Sequence, residues 1–91
     1  MARAVKQEYI ADPRDDGVGK AWVSTVRLSV DHGYNGVPKW FETYIFPALD
    51  DESGVASWSE IWGDRYTTED QAIEGHESVM AQLRSGEWPS D

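Results

Sequence analysis

The stretch that decides the fold is Ala21-Trp22-Val23-Ser24-Thr25-Val26-Arg27-Leu28-Ser29-Val30, then Tyr34-Asn35-Gly36-Val37, then Phe41-Glu42-Thr43-Tyr44-Ile45-Phe46. In the first segment the even positions Trp22, Val26, Leu28 and Val30 are apolar, with Ser24 the exception. Alternation of period two marks a half-buried strand, and the β-branched content favours strand over helix. The even positions are therefore expected to face the core. Asn-Gly takes the positive φ values of a type I′ turn most readily. With Asn35 and Gly36 as the central residues, the numbers of paired residues sum to 71. Val30 then faces Phe41, Leu28 faces Thr43 and Val26 faces Ile45, whereas a one-residue slip would set Val30 against Glu42. The opposite face would carry Trp40, Tyr44 and Phe46 beside Val23, Thr25 and Arg27.

On the N-terminal side, residues Val5 to Ala11 alternate loosely, as in a short edge strand. Asp12-Pro13-Arg14-Asp15-Asp16-Gly17-Val18-Gly19 has turn chemistry. On the C-terminal side, Pro47 ends the second hairpin strand and Asp50-Asp51-Glu52-Ser53-Gly54 is an acidic turn. Ser57 to Tyr66 reads as another strand, with Trp58, Trp62 and Tyr66 on one face, Ile61 on the other, and Gly63 at a bulge or bend. A helix is announced by Thr67 with Asp70, or Thr68 with Gln71, as a capping box, and by Glu69 and Asp70 in its first turn. Ala72, Ile73, His76, Val79, Met80 and Leu83 form its apolar stripe. Gly86 stops it and Pro89 prevents its resumption. The expected class is α+β: an antiparallel meander of three or four strands with one C-terminal helix on one face. Residues 1–91 make a single small domain, with about 85–91 as a flexible acidic tail.

The chain has 91 residues, 40% of them hydrophobic, and no cysteine. Disulfides and thiolate metal sites are excluded, and a reducing, cytoplasmic setting is expected. No stretch has the roughly 20 apolar residues of a membrane span, and the N-terminus lacks a signal-peptide pattern. Residues 1–49 carry six acids and six bases, while residues 50–91 carry eleven acids against Arg65 and Arg84, so the whole net charge of −9 lies in the second half. Such a surface is repelled by phosphate backbones and anionic lipid, which argues against direct nucleic-acid or membrane binding.

Candidate chemistry is sparse. His76 lies in the helix stripe and would point at the sheet. It could serve as a base or metal ligand with Asp31, His32, Glu42 or Asp64, but no HExxH pattern or cysteine pair accompanies it. The expected role is structural: a buried histidine whose ring N–H is held within the protein, with no metal and no cofactor. Asp31 and His32 could orient one another beside the turn. No serine sits in a nucleophile elbow and no glycine loop has phosphate-binding spacing. Five tryptophans exceed what a thin core needs. Trp40, Tyr44, Phe46 and Arg27 are accordingly expected to form a protein-contact patch, since aromatics and arginine are enriched at interfaces.

Val23-Ser24-Thr25-Val26, Asp31-His32, Phe41-Glu42-Thr43, Arg65-Tyr66-Thr67-Thr68-Glu69 and Gly75-His76-Glu77, in this order, resemble a family of small uncharacterised accessory proteins of actinobacterial phages. The likeness spans roughly residues 22–83. It implies a phage-encoded protein of the host cytoplasm and transfers no catalytic residue. The expected function is non-catalytic binding of a host or phage protein, or of a second copy in a homodimer. The alternatives are an acidic nucleic-acid mimic that occupies a nuclease or DNA-binding protein, and a small hydrolase or metal protein centred on His76.

Overall fold

Small and β-branched side chains on one side of a strand let a helix approach closely, and that condition selects the buried face here. In a computed structural model, which describes residues 3–15, 19–29 and 38–89, four strands form one antiparallel sheet in sequence order. They are β1 (Arg3–Ala11), β2 (Lys20–Arg27), β3 (Phe41–Ala48) and β4 (Trp62–Tyr66). One α-helix among the described residues, α1 (Glu69–Arg84), lies across all four. The α+β meander with its C-terminal helix is thus the observed architecture.

The hairpin register differs from the expected one. Val23 pairs with Ile45, Thr25 with Thr43 and Val26 with Glu42, so the paired numbers sum to 68 rather than 71. Odd positions of β2 therefore lie beside odd positions of β3. Ala21, Val23 and Thr25 are buried with Phe41, Thr43 and Ile45 under α1, while Trp22, Ser24 and Val26 face the other way with Glu42, Tyr44 and Phe46. The reason is steric. A helix packs tightly on alanine, valine and threonine, whereas Trp22 would hold it off and instead meets Tyr9, Phe46 and Trp58. The expectations for Val30, Asn35, Gly36, Asp31 and His32 fall outside the described residues.

Pro47 does not end β3, which runs on to Ala48. The Pro47 carbonyl accepts from Ala56 N–H at 2.8 Å, so the side of the residue that lacks a donor faces the β3–β4 connection and no bond to β2 is lost. β4 is shorter than expected, and Trp58 lies before it. Gly63 marks no bulge but pairs with Tyr44, whose ring lies so close over it that a Cβ there would be 2.3 Å away. The irregularity sits instead in β1, between Ala4 and Lys6.

Thr68 caps α1: its side chain accepts from Gln71 N–H at 3.1 Å, and the Gln71 side chain accepts from Thr68 N–H at 3.2 Å. At the other end Gly86 adopts φ +84°, with Glu87 N–H donating to the Gln82 carbonyl and Gly86 N–H to that of Leu83. This is the Schellman closure of a helix. Ala72, His76, Val79, Met80 and Leu83 are buried, but Ile73 is 39% exposed and stands at the margin of the stripe. Val23, Ile45, Val79, Met80 and Leu83 join Ala21 as the core, with Ile10, Ile61, Trp62 and Trp88 packed around them. The segment expected as a loose tail thus brings Trp88 to the core, where the Arg14 guanidinium lies 4.3 Å from its ring centroid. Pro89 is also buried. No helix among the described residues is long and apolar enough to cross a membrane.

Candidate functional site

The two faces of the sheet carry different chemistry. On the helix side, His76 is fully buried. Its Nε2 lies 2.7 Å from Glu8 Oε2 and its Nδ1 lies 2.7 Å from Thr25 Oγ1. Thr25 Oγ1 is 2.5 Å from Thr43 Oγ1, and Thr43 is hydrogen-bonded in turn with Tyr66. One residue from every strand and one from the helix thus join in a single chain. A carboxylate only accepts, so in the neutral ring Nε2 holds the proton and donates to Glu8, leaving Nδ1 to accept from Thr25. Burial pushes the Tyr66 phenol above its ordinary range, against the Thr43 bond that lowers it. Gly75 makes room for that phenol: a Cβ there would be 2.3 Å from the Tyr66 oxygen.

Thr25, His76 and Glu8 have the order of a nucleophile–base–acid triad. Thr25 and His76 are nevertheless fully buried beneath α1, and none of the three hollows described below is lined by Thr25, His76 or Glu8. The Thr25 hydroxyl is thus not open to solvent in this structure. Glu8, His76 and Glu77 could also serve as metal ligands, since one donor atom of each lies within 4.8 Å of the others. The cation among them is Lys6, whose ammonium contacts Glu77 and lies 4.0 Å from Glu8. Hydrogen bonding to Glu77 raises the Lys6 pKa, and the same bond lowers that of Glu77.

The outer face is aromatic. Trp22 lies 6.1 Å from Phe46 and 6.4 Å from Tyr9, and Tyr44 stands edge-on to Phe46 at 6.0 Å. Trp58 reaches over from the β3–β4 connection, nearly perpendicular to Trp22 at 6.0 Å and to Phe46 at 5.3 Å. That connection is held by the Ala48–Val55 bridge and by Asp51, whose carboxylate accepts from the backbone and hydroxyl of Ser53. Trp58 is 69% exposed despite these contacts. A hollow of about 350 Å³ opens between Ala4, Gln7, Trp22, Ser24, Val26, Glu42, Tyr44, Phe46 and Trp58. Beyond Tyr44 lies an open cleft of about 590 Å³ toward β4, lined by Lys39, Glu60, Ile61, Trp62, Gly63, Asp64 and Arg65. A third, of about 160 Å³, lies between β4 and α1. Arg65 divides the first two, donating to Glu42 Oε2 at 3.4 Å and to the Tyr44 hydroxyl at 3.2 Å.

Of the expected patch, Tyr44 and Phe46 lie together on this face. Trp40, just before β3, has the same parity as Tyr44 and Phe46; its carbonyl accepts from Leu28 N–H, and its ring enters none of the aromatic contacts among the described residues. Arg27 pairs with Phe41 on the other parity, with its guanidinium 5.8 Å from that ring centroid, and Glu42 is bonded to Arg65 instead. The correction for Arg27 follows from the register. Sequence reasoning missed Trp22 for the same reason and Trp58 because it lies on the irregular β3–β4 connection, although the surplus of tryptophan was the visible sign. It also missed the Thr25–Thr43 pair, whose sign was two threonines at alternating positions of adjacent strands. No protein-family model, curated protein or solved structure matches this chain.

Proposed function

We propose that this chain is a non-catalytic binding protein, a phage accessory protein acting in the host, that contacts another protein through the outer face of its sheet. The observation that carries the reading is Trp58, 69% exposed yet held edge-on against Trp22 and Phe46. A large ring fixed by its neighbours loses little freedom on binding, and tryptophan is over-represented among the residues that dominate interfaces. Tyr44 and Phe46 extend the same surface. Catalysis at His76 has less support, because its hydroxyl partner is sealed under the helix. The charge-mimic reading also has less support, because Glu52, Glu69 and Glu77 already pair with Lys20, Arg3 and Lys6.

The test is affinity capture from an actinobacterial lysate with the wild type, with Trp58→Ser, and with Glu74→Gln on the helix. A polypeptide retained by the wild type and by Glu74→Gln but lost by Trp58→Ser supports the reading. Retention by Trp58→Ser, with loss on altering the helix, would refute it.

A further inference from the structure

Resting on that contact-face reading, we infer that the hollow of the outer face takes a cationic side chain, an arginine of the partner. Its lining includes the aromatic residues Trp22, Tyr44, Phe46 and Trp58 together with the acid Glu42. That carboxylate is largely desolvated, with its side chain only 14% exposed. Its ion pair is a single long bond, the 3.4 Å contact from Arg65 Nε, and Arg65 lines the neighbouring cleft rather than this hollow. A poorly solvated carboxylate with aromatic walls suits a guanidinium, which stacks on rings and sheds water more easily than an ammonium. Ser24 at the same place accepts from the Gln7 amide at 2.9 Å, which leaves the Gln7 carbonyl oxygen as a second acceptor at the rim.

Charge at the scale of the molecule points the same way. With a net charge of −9, the chain attracts basic partners at a distance. A second copy would bring a further −9 and is repelled, so a homodimer through this face is the weaker occupant. The inference therefore commits to a basic segment of another protein.

The probe is a capped glycyl-arginyl-glycine peptide, compared with the same peptide carrying citrulline, the neutral isostere of arginine. Each is titrated into the ¹⁵N-labelled protein at low salt. The arginine peptide is expected to shift the Trp22 and Trp58 indole signals and the Glu42 amide. The citrulline peptide should bind roughly three- to tenfold more weakly, and Glu42→Gln should bring the arginine peptide down to the same level. Trp58→Ala, a change at an exposed ring that leaves the fold intact, should weaken both. Equal responses to the two peptides, or an arginine response indifferent to Glu42→Gln, would overturn the arginine assignment while leaving the capture experiment to judge the contact face. Shifts confined to residues off this face, or none at all, would also overturn it.

Discussion

Thr25 holds together a buried chain that reaches from the β1 edge to β4. Its hydroxyl serves His76 on one side and Thr43 on the other. Thr25→Val keeps the shape and removes both bonds, leaving His76 Nδ1 without a donor inside the protein. The expected loss is about 1–3 kcal/mol in urea denaturation, the range for a buried group deprived of its partner. A loss within the noise of such measurements would mean that the chain contributes nothing net. Asp12 supplies a second test at this scale. It is buried, and its carboxylate accepts from Arg14 at Nε, Nη2 and the backbone. Burial alone would raise its pKa, but the hydrogen bonds and charge of Arg14 outweigh burial and hold it below the ordinary value. The folded state thus favours the ionised form. The stability this confers is complete above the unfolded pKa and is lost as the pH falls through the lowered folded one. Asp12→Asn should destabilise the protein at neutral pH and flatten the acid limb of its stability profile. An acid limb identical to the wild type would contradict the assignment.

Helix α1 was legible in the sequence because its signals are local. The Thr68 and Gln71 box, the acids of the first turn and the stop at Gly86 each act within a few residues. Thr68→Ala is expected to cost about 0.5–2 kcal/mol, as N-cap losses do, and Gly86→Ala about 1 kcal/mol through its positive φ. The hairpin was not legible to the same depth. Its strands could be located, but the Asn-Gly preference is worth less than the fit of one face beneath a helix. Nothing in alternation alone says which of two half-apolar faces that is. Trp22 looked like core by its hydropathy and is outer by its size. The register has a direct check. Leu28 and Trp40 form a hydrogen-bonded pair, so Val23 with Ile45 and Thr25 with Thr43 are the narrow pairs of the ladder. Cross-strand Hα–Hα Overhauser contacts are expected between those partners. Contacts from Val26 to Ile45 and from Leu28 to Thr43 would restore the other register.

At the scale of the molecule, a thin sheet with one helix has one sealed side and one open side. The sealed side supplies the cohesion: Leu83→Ala, at a buried core position, is expected to cost about 2–4 kcal/mol, a large share of what a domain of this size has. The other side carries aromatics that the core does not need, and among the described residues only Trp58 is laid across them. That such a surplus existed was evident from composition. Its membership was not, because Trp58 arrives from an irregular connection whose path no periodicity records. Under the proposed function this side, rather than the acidic back of α1, is the surface that meets another protein. Site-specific photo-crosslinking in actinobacterial cells compares the two directly, with a benzophenone side chain placed at position 58 in one variant and at position 74 in the other. A discrete protein adduct is expected from position 58 and none from position 74. Adducts from position 74 alone, or a bare position 58 in cells where position 74 reacts, would contradict it.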